Sequence, residues 1–106
     1  MKEYEKLAKN SETSEKVLEV YLRTSCEGKG WLCLKYTNPW LIGMPDRLIL
    51  LPKGRCAWVE LKSAGGKPRK IQTLRHMLLL EHQQRVYVAA SREDIDAIIE
   101  ELSNGI

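Results

Sequence analysis

Apolar residues along the chain switch between helical spacing and strand-like runs, and the switches predict the order α-β-β-β-α-β-α. Val17, Leu18, Tyr21 and Leu22 form one stripe, with Glu15 and Glu19 beside it, which predicts a helix from Ser14 to about Glu27. Ser11 to Ser14 offers N-caps, and Gly28 and Gly30 end the helix. Residues 1 to 13 read as a mostly polar arm or short helix. Trp31 to Tyr36 is a predicted strand, and Thr37 to Met44 is irregular. Pro45 cannot donate to a sheet ladder and so marks the entry to a strand, Asp46 to Leu51, whose hairpin partner runs from Arg55 to Lys62. Both are strongly apolar, as central strands covered by helices should be. After a Gly-rich loop, Pro68 suits the first position of a helix ending near His82. Ile71, Leu74, Met77, Leu78 and Glu81 fall at helical spacing there, Leu79 and Leu80 widen the apolar face, and Gln72 and Arg75 sit off its centre. Val86 to Ala90 is a buried strand, reached through that helix, which predicts a right-handed crossover and parallel pairing. Ser91 to Asp94 resembles a capping box, and Ile95, Ile98, Ile99 and Leu102 form the buried face of the last helix. The expectation is one α/β domain over residues 1–106, with a mixed four-stranded sheet flanked by helices.

The hairpin carries the chemistry. Pro52-Lys53-Gly54 separates Leu51 from Arg55, and three-residue hairpin loops are usually a type I turn closed by a left-handed residue. Pro52 has the φ that the first turn position wants, and Gly54 accepts the positive φ of the last. If Leu51 lies opposite Arg55, Leu48 lies opposite Trp58 and Asp46 opposite Glu60. Opposed residues have Cβ atoms roughly 5 Å apart, close enough for two carboxylates to share a cation. A loop shorter by one residue would turn Asp46 to the other face. Glu60 and Lys62 share a face, so the pattern predicts an acidic pair beside a lysine: a metal site. A bare Glu-x-Lys is usually a surface ion pair worth ~1 kcal/mol or less. Here the Glu follows Ala57-Trp58-Val59, a run that reads as buried, where charge needs a reason to exist.

Composition changes this picture little. A chain of 106 residues with 43% hydrophobic and 29% charged residues suits one globular domain. There is no run long enough to span a membrane and no signal-peptide core, so a cytoplasmic location is expected. Cys26, Cys33 and Cys56 lack CxxC spacing and read as small buried apolar residues. His76 and His82 are six residues apart, on different helix faces, and form no metal pair. The net charge of +3 is unevenly placed: Leu51 to Arg75 holds seven Lys or Arg against Glu60 alone. A basic segment beside an acidic pair suits a polyanion held next to a metal. Trp40 reads as a base-stacking, core or interface residue.

Gly43-Met44-Pro45-Asp46-Arg47, then Glu60-Leu61-Lys62, then Gln72 in the following helix resembles the PD-(D/E)xK nucleases. More narrowly, the chain resembles the VRR-NUC family in its short stand-alone form, found in phages and bacteria, from Ser14 to about Asp94. The resemblance implies a restriction-endonuclease-like core and metal-dependent hydrolysis of DNA phosphodiesters. By position it implies Asp46 and Glu60 as the metal carboxylates, Leu61 as a backbone-carbonyl ligand, Glu15 as the first-helix acid at the metal, and Lys62 and Gln72 as catalytic. The metal would be Mg²⁺ or Mn²⁺, hard cations that prefer oxygen, with no small-molecule cofactor. Lys35, Lys67, Arg69, Lys70 and Arg75 are candidates for contacting the DNA backbone. The family commonly has a glycine where this chain reads Gln83-Gln84-Arg85. The resemblance favours a homodimer acting on branched DNA such as four-way junctions, with the Trp31–Tyr36 strand, the Thr37–Met44 segment and the N-terminal helix at the interface. The alternatives are a non-catalytic DNA-binding module and a sequence-specific restriction-type nuclease.

Overall fold

The computed structural model describes residues 14 to 105, so the polar arm expected over residues 1–13 lies outside the described residues. The elements follow the order α1 (Glu15–Gly28), β1 (Leu32–Lys35), β2 (Arg47–Leu50), β3 (Cys56–Leu61), α2 (Lys70–Glu81), β4 (Val86–Ala89) and α3 (Arg92–Ser103). They form one mixed four-stranded sheet, β1-β2-β3-β4, antiparallel but for the β3–β4 pair. The expected fold class holds. Among the described residues no helix is long and apolar enough to cross a membrane.

Helices α1 and α3 pack together on one face of the sheet. Ser14 caps α1 by accepting from the Val17 N–H at 3.2 Å, which sets the rotation that buries Leu18, Leu22 and Cys26. Ser91 caps α3 by accepting from the Asp94 N–H at 3.0 Å, and Asp94 reaches back to the Ala90 N–H at 2.9 Å. Ile95, Ile98, Ile99 and Leu102 then meet Ile49, Ala57, Val59 and Leu61 from the sheet in the main core. Each large side chain so buried contributes about 1.5–3 kcal/mol. Cys26 is buried as expected, whereas Cys33 and Cys56 are only half-buried; all three are free thiols.

Three local expectations need correcting. The β2–β3 register is as predicted, with Leu48 opposite Trp58 and the Leu51 N–H donating to the Arg55 carbonyl at 2.9 Å. The turn itself differs: Lys53 (φ 65°) joins Gly54 (φ 73°) in the left-handed region, where the expected type I turn closed by one left-handed residue would place only Gly54. Pro68 stands before α2 instead of opening it, and Arg69 is the N-cap.

The largest correction is the facing of α2. Its buried residues are Gln72 and Leu79, whereas Leu74, Met77 and Leu80 of the predicted apolar stripe are 48%, 53% and 57% exposed. Gly43 explains the rotation. With φ at +96° it lies so close to α2 that an added Cβ would sit 2.9 Å from Ile71 Cγ1 and 3.0 Å from the Ile71 carbonyl oxygen. The Arg75 Nε donates to the Ile42 carbonyl at 2.7 Å on the same side. These contacts hold Ile71 and Arg75 against the Ile42–Gly43 turn and direct the 72–76–79 stripe inward.

Before β4, Gln83 takes φ 59°. A glutamine here adopts the left-handed conformation that glycine favours.

Candidate active site

The β2–β3 register runs from Leu50 opposite Cys56 to Arg47 opposite Val59, and its next step sets Asp46 against Glu60. Side chains alternate along a strand, so Arg47, Val59 and Leu61 turn toward α1 and α3 while Asp46, Glu60 and Lys62 turn to the face that carries α2. The Asp46 backbone is held from both flanks. Its carbonyl accepts from the Tyr36 N–H at 2.9 Å and from Arg47 Nη1 at 2.8 Å. Arg47 is itself buried, and its Nη2 lies 2.8 Å from Glu19 Oε2 on α1. The arginine of the Gly-x-Pro-Asp-Arg segment thus positions the aspartate by tying it to the first helix. Sequence reasoning did not foresee this role, although adjacency to Asp46 was its signal.

Glu60 is 3% exposed, in the last turnless stretch of β3. Lys62 Nζ lies 3.8 Å from its Oε2, and His76 Nε2 lies 3.8 Å from its Oε1. Burial, and then the Asp46 carboxylate, push the Glu60 carboxyl up to about 7, against the pull of Lys62 and Arg69. Burial also raises the Asp46 carboxyl, opposed by Arg47 and by a hydrogen bond from the Leu61 N–H. Glu15, exposed at the start of α1, adds to the negative field felt by both carboxyls. Asp46 Oδ1, Glu60 Oε1 and His76 Nε2 are buried without a hydrogen-bond partner.

Leaving buried acceptors unpaired costs about 1–3 kcal/mol each. Two such carboxylate oxygens on opposed residues are the donor set that a hard divalent cation requires. Among the described residues no three His, Cys, Asp or Glu side chains converge as a ready-made cage. A cation here would therefore draw on the two carboxylates together with backbone or water oxygens.

No family model matches the chain. The chain is 33% identical over 85 residues to the protein named "Putative nuclease p44" of Acyrthosiphon pisum secondary endosymbiont phage 1, spanning 80% of this chain and 90% of that one. A solved structure titled "VRR_NUC domain" superposes with a TM-score of 0.78 at 30% identity, over 83% of this chain and 96% of the other. The chain belongs to the VRR-NUC family.

The remaining candidate residues of this VRR-NUC chain divide in two. Gln72 is buried, and its Oε1 accepts from the Arg69 N–H at 2.8 Å, closing the N-terminus of α2. Leu61 keeps its side chain in the core while its N–H serves Asp46. Arg69 lies near enough to act on Glu60, and Lys67 and Lys70 are exposed beside it along the chain. Arg75 is engaged with the Ile42 carbonyl, and Lys35 pairs with Arg47 on the opposite face from Glu60. His76 is the residue that spacing missed: burial, and then Lys62, hold its imidazole below its usual pKa, and it faces Glu60.

Proposed function

We propose that the protein is a metal-dependent nuclease that hydrolyses DNA phosphodiester bonds. The observation that carries this reading is the opposed Asp46–Glu60 pair, each with a buried, unpartnered carboxylate oxygen, beside Lys62 in a VRR-NUC chain. The named relative, a phage protein described as a nuclease, supports the same reading.

Asp46 and Glu60, with the Leu61 carbonyl, would hold Mg²⁺ or Mn²⁺, and Glu15 would hold one of its waters or a second ion. Such an ion polarises a phosphoryl oxygen and lowers the pKa of bound water. Lys62, kept near Glu60, would orient the attacking water and offset charge that builds on the phosphate oxygens. Gln72 would act by closing the start of α2, which places Arg69 and Lys70 at the site. Lys67, Arg69 and Lys70 would bind the DNA backbone without reading sequence, with Lys35 and Arg75 contributing at the margins.

The preferred substrate in this reading is branched DNA such as a four-way junction, cut by a homodimer in the host cytoplasm. A two-fold pair would present one site to each of two strands. The exposed apolar surface supports such pairing. Leu32 pairs with Leu50 and Leu34 with Leu48 on the sheet face away from α1 and α3, and Leu32, Leu34 and Leu50 are exposed. Trp40, in the loop before β2, is 94% exposed, which removes the core reading of this residue.

The test is cleavage of a labelled four-way junction and its matched linear duplex with Mg²⁺, Mn²⁺ or EDTA, alongside Lys62→Ala and Asp46→Asn. Metal-dependent cutting abolished by both substitutions, with the junction preferred and a dimeric mass in solution, is expected. Tight binding without cutting in either metal would leave a DNA-binding module.

A further inference from the structure

His76 reaches the site from the stripe of α2 that its apolar pattern did not mark. Its side chain is 12% exposed and stands one turn after the capped Gln72 and one turn before the buried Leu79. Its Nε2 is buried and unpartnered, and Glu60 Oε1, itself buried and unpartnered, lies 3.8 Å away. That separation is too long for a hydrogen bond, so neither atom satisfies the other and each needs a further partner. A leucine of similar size would fill the position without the cost of a buried polar atom, so packing alone does not account for an imidazole.

We propose that His76 is a positioning residue of the active site, whose Nε2 would accept a hydrogen bond from a water of the cation that Glu60 would hold. Groups that hold a metal's ligands in this way typically contribute 10–100-fold in metal affinity or activity. This proposal rests on the nuclease reading, with Glu60 at the cation.

The experiment titrates the chelator-treated full chain with Mn²⁺, following free Mn²⁺ by electron paramagnetic resonance. His76→Leu, His76→Gln and wild type are compared, with melting temperatures for each and kcat and KM on the junction. His76→Leu is expected to keep or raise the melting temperature, weaken Mn²⁺ binding about 10-fold or more, and lower kcat with KM little changed. His76→Gln, which restores a polar atom near the place of Nε2, is expected to recover most of the affinity. Unchanged Mn²⁺ affinity in His76→Leu would overturn the proposal, as would a His76→Gln variant as impaired as the leucine. Should His76→Leu fail to fold, His76→Ala takes its place. If wild type binds Mn²⁺ but cleaves nothing, the nuclease reading fails while the two affinities still decide the role of His76. If wild type binds no Mn²⁺, both fall.

Discussion

Asp46 Oδ1 and Glu60 Oε1 are both buried without a hydrogen-bond partner, on residues that the β2–β3 register sets opposite one another. Two carboxylates in that arrangement oppose the folded state whenever both are ionised, and the cost has a pH signature. Glu60 titrates at about 7 against an ordinary value of 4.5. Between those values the folded chain keeps a proton that the unfolded chain has released. The stability of the chelated protein should therefore fall as pH rises through this window and level off above it. Glu60→Gln should weaken the dependence and stabilise the chelated protein above pH 7 by about 2 kcal/mol. Denaturant melts at several pH values with EDTA present check both outcomes.

A cation reverses that penalty. Above pH 7, Mg²⁺ or Mn²⁺ should raise the melting temperature of wild type in a concentration-dependent way. Asp46→Asn and Glu60→Gln should lose most of this response. Differential scanning fluorimetry with and without excess EDTA measures it.

Gly43 should tolerate no side chain. Its φ of +96° combines strain with collision, an added Cβ meeting both the Ile71 side chain at 2.9 Å and the Ile71 carbonyl oxygen at 3.0 Å. Gly43→Ala is expected to cost about 2–4 kcal/mol. Because the Ile42–Gly43 turn holds α2 in its rotation, cutting should fall more than the loss of folded protein explains. Denaturant melts beside single-turnover rates separate the two.

Gln83 carries the opposite expectation. In the left-handed region a glycine is unstrained, so Gln83→Gly should be neutral or stabilising by up to about 1 kcal/mol. A β-branched Gln83→Val should destabilise, and paired thermal melts decide the sign.

The exposed cations of the loop and helix start should act on DNA affinity alone. Lys67→Ala and Lys70→Ala should each reduce the slope of log K against log salt by about 1, alike for every DNA sequence. Arg75→Ala should also lower stability, because its Nε holds the Ile42 carbonyl. Fluorescence anisotropy across a salt series, with Ca²⁺ in place of the active metal, reads the slopes.

The Asp46–Glu60 pairing was legible because hairpin register is local: three turn residues between two apolar runs leave one pairing that buries Val59 and Leu61. The capped helices α1 and α3 were legible for the same reason, each having one apolar stripe and one strong N-cap. Helix α2 was not. Its sequence is apolar on more than one side, and periodicity ranks faces by hydrophobicity without knowing what meets them. The close packing of Gly43 on Ile71 and the Arg75–Ile42 hydrogen bond, between residues some thirty positions apart, settled its rotation. That rotation turned Gln72 and His76 inward and left Leu74, Met77 and Leu80 on the surface. The link from the buried Arg47 to Glu19 likewise depends on α1 crossing the sheet. The sequence by itself thus determined the strands, their register and the acidic pair beside Lys62. Which helix face completes that site, and what holds Asp46 in place, were decided by contacts between segments far apart in the chain.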